Sequence, residues 1–133
     1  MEPLAGQTRP IRILLVEDEF LISEWVAESL AEQGFAVACT DNAADALRLL
    51  ASSPVDVLFT DIELRGGLDG VALARRAREF LPDLAVVYAS GRVVLDVHRR
   101  VPGSSFVAKP YEPELVGPVL AKAARSASAA VAA

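Results

Sequence analysis

Two short apolar runs, Ile11 to Val16 and Val55 to Thr60, each stop at carboxylates. The first ends in Glu17-Asp18-Glu19 and the second in Asp61. Runs of this length and β-branched content read as buried strands of a parallel sheet. Ligands and reacting groups in such a sheet collect at the carboxyl ends of the strands. Glu17, Asp18 and Asp61 are therefore expected to meet at one edge. Like charges held that close repel, unless a cation sits among them. An all-oxygen ligand set favours a hard cation, and the expected one is Mg²⁺, which also binds phosphate oxygens. The first expectation is a Mg²⁺ and phosphoryl site.

The rest of the chain alternates strand and helix patterns. Glu19 to Gln33 carries Ile22, Val26 and Leu30 at helical spacing, and Gly34 stops it. Phe35 to Cys39 reads as a second strand, and Asp41 or Asn42 caps a helix through Leu50. A Gly-rich loop follows Asp61, then a helix from about Val71 to Phe80, ended by Pro82. Leu84 to Ala89 is a fourth strand and Ser105 to Ala108 a fifth, with a short helix at Val93 to Arg100 between them. The final helix spans Pro113 to Arg125, and Pro118 predicts a kink or a late start. The fold class is α/β, with helices on both faces of a five-stranded parallel sheet.

Composition narrows the function. With 133 residues the chain is one domain, residues 11–125, between a polar tail at 1–10 and an Ala-rich tail at 126–133. Its net charge of -5 and pI near 4.8 disfavour direct nucleic-acid binding. The local basic groups Arg75, Arg76, Arg78 and Arg92, His98, Arg99, Arg100 read as solvated faces. A lone cysteine, Cys39, permits no internal disulfide and fits a reducing compartment. Neither a signal peptide nor a membrane-spanning stretch is evident, so a cytoplasmic location is expected.

Four strand ends carry chemistry that suits one phosphoryl group. Asp61 is the candidate nucleophile, because a carboxylate can form an acyl phosphate. Glu17 and Asp18 are candidate metal ligands. Lys109 would neutralise charge on the transferred oxygens, and Ser90 would donate its hydroxyl to one of them. Lys109-Pro110 is a candidate cis peptide that would aim the lysine inward.

At this point the chain resembles the receiver domain of bacterial two-component response regulators. The matching residues are Val16-Glu17-Asp18-Glu19, Phe59-Thr60-Asp61, Asp69-Gly70, Ala89-Ser90-Gly91 and Phe106-Val107-Ala108-Lys109-Pro110. The resemblance implies a flavodoxin-like (βα)5 three-layer sandwich. It implies that a histidine kinase or phosphotransfer protein passes a phosphoryl group to Asp61, with Mg²⁺ held by Glu17, Asp18, Asp61 and the backbone carbonyl of Glu63. On activation Ser90 would move toward the phosphoryl oxygens and Phe106 would change rotamer. The altered face would then bind a downstream protein target, or a second copy of the chain as a homodimer.

Several positions depart from the common family pattern. The loop from Glu63 to Leu68 lacks the usual proline and is one residue longer. Glu63 adds a carboxylate beside the site, and Phe106 stands where a tyrosine is frequent. Phe106 also reads as simple core packing, as does Trp25. Phe20, Leu21 and Trp25 together are the candidate kinase-docking face. Two other functions compete. One is a degenerate receiver that never carries phosphate and acts as an interaction or dimer module. The other is a haloacid-dehalogenase-type phosphohydrolase, loosely mimicked by Asp61, Glu63, Ser90 and Lys109. A flavin site is disfavoured, because the loop after the first strand is acidic where a phosphate cradle needs free backbone N–H groups.

Overall fold

The computed structural model describes residues 9–91 and 99–132. Strands β1 (Arg12–Val16), β2 (Ala36–Thr40), β3 (Val57–Asp61), β4 (Ala85–Ser90) and β5 (Ser105–Ala108) form one sheet in the order β2-β1-β3-β4-β5. All four pairings are parallel. Helices α1 (Phe20–Glu32), α2 (Ala43–Ser52), α3 (Gly70–Phe80) and α4 (Pro113–Ala132) cover its two faces. The flavodoxin-like, three-layer expectation holds.

The period of two along each strand builds the layers. Leu14 and Val16 of β1, Leu58 of β3, and Val86 and Tyr88 of β4 face α2 and α3. Their neighbours Ile13, Leu15, Val57, Phe59, Ala85, Val87 and Ala89 pack with Val26 and Leu30 of α1 and Val116 and Leu120 of α4. Because β3 and β4 are covered on both faces, they read as continuous apolar runs.

The helix ends follow local chemistry. Gly34 terminates α1 at φ 101°, a conformation costly for other residues. The N–H of Gly34 bonds to the carbonyl of Ala31 and that of Phe35 to the carbonyl of Leu30, which closes the last turn. Asn42 caps α2 by accepting the N–H of Asp45 at 2.8 Å, and Asp69 caps α3 by accepting that of Ala72 at 2.8 Å.

Several expectations change. Helix α4 starts at Pro113 and continues through Pro118 to Ala132, so the late start does not occur and residues 126–132 are helical. Pro118 lies beyond the first turn, where a missing N–H removes an intrahelical bond. The fully buried neighbours Val116 and Leu120 anchor the helix on either side of it. Cys39 lies on the edge strand β2, as its strand-like segment predicts, and is exposed there. Trp25 was expected to pack, yet it is 53% exposed, beside Phe20 at 71% and Leu21 at 78%. Arg75 and Arg78 do more than solvate a helix face. Arg75 donates to the carbonyl of Arg99, and Arg78 donates to those of Leu84 and Pro102, so α3 is tied to the residue before β4 and to the segment leading into β5. The short helix expected at Val93 to Arg100 falls largely outside the described residues, as does most of the N-terminal tail. Among the described residues no helix is long and apolar enough to cross a membrane.

At the amino-terminal edge of the sheet, Asp56 accepts from the Arg12 backbone N–H at 2.8 Å and from the guanidinium groups of Arg12 and Arg9. Burial would push the Asp56 carboxyl up, but these hydrogen bonds outweigh it and hold it well below the usual carboxylate range. A carboxyl lowered on folding stabilises the protein above its unfolded pKa, and that contribution fades as the pH falls toward the folded value. The stabilisation should therefore be complete above roughly pH 5 and decline below about pH 4. Urea unfolding across this range should show Asp56→Asn less stable than wild type by about 1–3 kcal/mol at neutral pH. The gap should narrow in acid.

Candidate functional site

The order β2-β1-β3 puts a reversal of chain progression between β1 and β3, and the crevice at their carboxyl ends is where such sheets bind ligands. Backbone pairing brings the functional residues there. Val16 pairs with Thr60, which sets Glu17 and Asp61 at adjacent strand ends. Asp61 pairs with Ala89, and Ser90 with Ala108, which brings Ser90 and Lys109 alongside. The Lys109 N–H donates to the Ser90 carbonyl at 2.9 Å.

Lys109 reaches back across the edge. Its Nζ donates to Asp61 Oδ2 at 2.9 Å and to Glu17 Oε1 at 3.0 Å. Burial alone would lower the Lys109 ammonium, but the bonds to Asp61 and Glu17 dominate and keep it charged. Burial pushes the Glu17 carboxyl up, against the hydrogen bonds it accepts from the Glu19 N–H and Lys109. The Lys109-Pro110 bond is cis. Next to it, Tyr111 packs on Phe59 with ring centroids 5.8 Å apart, and burial pushes its hydroxyl up to about 12.

One oxygen each from Glu17, Asp18 and Asp61 lies within 4.8 Å of the others. Glu17 and Asp61 are buried, and Asp18 is partly so. This is a compact, oxygen-only donor set at a strand edge, and it suits a hard divalent cation. Asp61 Oδ1 also accepts the Glu63 N–H at 3.2 Å, and Asp18 Oδ2 accepts the Arg65 N–H at 3.1 Å. A cavity of about 430 Å³ opens over the cluster, lined by Asp18, Asp61, Glu63, Arg65 and Lys109 among others.

Ser90 is buried, and its hydroxyl meets both carboxylate oxygens of Glu63 at 2.8 Å. The extra carboxylate expected of Glu63 beside the site is thus bonded to Ser90. Phe106 pairs with Tyr88 and packs, half-buried, against the α2/α3 side of the core. The Tyr88 hydroxyl accepts the Val101 N–H at 3.1 Å in the interior, so a tyrosine beside Phe106 holds the approach to β5.

With this geometry, residues 13–117 match the family model for the response regulator receiver domain. The chain belongs to that family. Receiver domains are signalling domains, and the phosphorylation-driven conformational switch of the family fits this one. Among curated relatives, the response regulator receiver protein CpdR of Brucella abortus is 39% identical over 80 residues, 60% of this chain and 66% of CpdR. The sensor protein TorS of Escherichia coli is 32% identical over 84% of this chain, and the match spans 12% of TorS. The response regulator MprA of Mycolicibacterium vanbaalenii is 31% identical over 79% of this chain and 44% of MprA. The receiver domain thus matches under two thirds of each of these proteins. Among solved structures, a response regulator receiver protein from Sinorhizobium medicae superposes with a TM-score of 0.83 at 28% identity, over 89% of this chain and 97% of that one.

Sequence patterns missed the reason for Gly70 and the involvement of Arg65 and Tyr111. Gly70 is the sharpest case. Its N–H donates to the Ile62 carbonyl, and it opens α3 directly against the back of the Asp61 strand end. A Cβ there would run into the Asp61 backbone carbonyl and stand 2.9 Å from the Ile62 Cα. The requirement is for close approach and not for an unusual backbone angle, since Gly70 is absent from the left-handed region. Gly70→Ala should therefore lower stability by about 1–3 kcal/mol through overpacking, read by thermal or urea unfolding.

Proposed function

We propose that Asp61 is the phosphoacceptor of this receiver domain. The observation that carries the reading is Lys109, which bonds Asp61 and Glu17 together at the edge where three carboxylates converge. An Asp61 oxygen attacks phosphorus, forming an acyl phosphate, while the bond from phosphorus to the donor's imidazole nitrogen breaks. That nitrogen keeps the electron pair. Attack of water on phosphorus later releases inorganic phosphate and restores the carboxylate.

The chain's own residues handle position and charge. Lys109 holds the Asp61 carboxylate in place and offers a cation to the incoming phosphoryl oxygens. The Glu63 N–H orients the other Asp61 oxygen. Glu17, Asp18 and Asp61 would hold Mg²⁺, with the Glu63 backbone carbonyl as a further ligand. Bound there, Mg²⁺ would offset the negative charge that carboxylates and phosphoryl oxygens bring together.

The donor in this reading is a sensor histidine kinase or histidine phosphotransfer protein in the cytoplasm. The exposed apolar group Phe20, Leu21 and Trp25, one turn from the acidic cluster, is a suitable docking surface for it. Ser90 and Phe106 carry the change outward to a downstream protein target. In this reading the chain acts as a signalling acceptor rather than a catalyst on external substrates. A degenerate, phosphorylation-independent receiver is the second reading. Glu63 favours it, because its carboxylate engages the serine that would contact the phosphoryl group.

Intact mass after incubation with Mg²⁺ and acetyl phosphate separates the two. One added phosphoryl group is expected on wild type, with none on Asp61→Asn and none in excess EDTA. An unmodified wild type, retested with candidate kinases and short sampling times, would favour the degenerate module.

A further inference from the structure

We propose that the Glu63 carboxylate is a latch on Ser90, holding the serine hydroxyl until the acyl phosphate on Asp61 displaces it, and so limiting how far the domain accumulates in its phosphorylated state. This rests on Asp61 being the phosphoacceptor. It deepens that reading by naming a restraint built into this chain's own loop.

Ser90 has one hydroxyl proton to donate, and the Glu63 carboxylate receives it with both oxygens at 2.8 Å. A hydrogen bond to an ionised acceptor is stronger than a neutral one. The serine backbone cannot shift freely to serve a second acceptor. Its carbonyl accepts the Lys109 N–H, and it closes a strand paired with β5. Ser90 is also 2% exposed, so solvent has little access to replace Glu63. A phosphoryl group on Asp61 would bring terminal oxygens that want the same proton. The two anions compete for one donor.

Electrostatics sharpen the competition. Glu63 lines the same cavity as Asp61 and Lys109. The Lys109 ammonium is already shared between Asp61 and Glu17. Glu63 is not one of the three carboxylates whose oxygens converge for a cation. Its negative charge thus faces the phosphoryl position with its described side-chain bonds made to Ser90 alone. Phosphorylation therefore has to break the Glu63–Ser90 bond and turn the Glu63 side chain aside. The loop permits this. Gly66 and Gly67 follow at φ 68° and 132°, and the Glu63 side chain is only half-buried.

The test is a four-member cycle of wild type, Glu63→Ala, Ser90→Ala and the double variant, with Glu63→Gln as the isosteric neutral control. Each is incubated with Mg²⁺ and limiting acetyl phosphate, from which acetate leaves with the electrons of its P–O bond as Asp61 gains the phosphoryl group. Intact mass gives the phosphorylated fraction, and its decay after donor removal gives the lifetime. Glu63→Ala and Glu63→Gln should raise the ratio of phosphorylated to free protein roughly three- to tenfold, the scale of one net hydrogen bond. In the Ser90→Ala background the same change should have little effect. An equal gain in that background would overturn the latch and leave simple charge repulsion. Glu63 variants that match a phosphorylated wild type would overturn it too. Failure of every protein to take the phosphoryl group would overturn the Asp61 reading itself, and the latch with it. Uptake by the Glu63 variants but not by wild type would support both.

Discussion

Lys109 is the contact on which the functional end of this domain depends. A single ammonium spans the ends of three strands, bonding Glu17 after β1 and Asp61 at the end of β3 from its own place after β5. Without it two buried carboxylates would face each other with no compensating charge, a situation that proteins avoid by protonation or unfolding. The reach of Lys109 requires β5 to lie beside β4 and β4 beside β3 in the observed register. The site and the sheet are thus one constraint seen at two scales.

The opposite end of the sheet repeats the logic with reversed partners. There a single carboxylate, Asp56, is shared by Arg9 and Arg12 and ties the start of β1 to the residue before β3. Both ends join the same two strands through charge, while the apolar middle is held by burial. Only the carboxyl end leaves acid in excess, and that excess is what gives it an appetite for cations and phosphoryl oxygens.

The strands were legible because their side chains obey a simple period and both faces are covered. Helix caps were legible for a similar reason: Asn42, Asp69 and Gly34 act on their own neighbours, so local sequence suffices. Most boundaries moved by one or two residues, the end of α4 by more, and Asp61 and Ser90 proved to be the last residues of strands rather than the first of loops. Pro118 misled because its local penalty is outweighed by the burial of Val116 and Leu120 around it. Trp25 misled in the other direction, since an aromatic residue at helical spacing reads as core until the packed face of α1 is known.

Sequence by itself determined the parallel α/β sheet, the strand ends that carry Asp61, Ser90 and Lys109, and the acidic character of the edge. These follow from periodicity and from the rule that groups at carboxyl ends share one rim. Tertiary structure decided which of those groups touch. That Lys109 bridges Asp61 and Glu17, that Ser90 bonds the Glu63 side chain, and that Gly70 must lack a Cβ all depend on register and side-chain rotamers. The Lys109 and Ser90 contacts join residues 27 to 92 positions apart, and no local pattern encodes a distance between them.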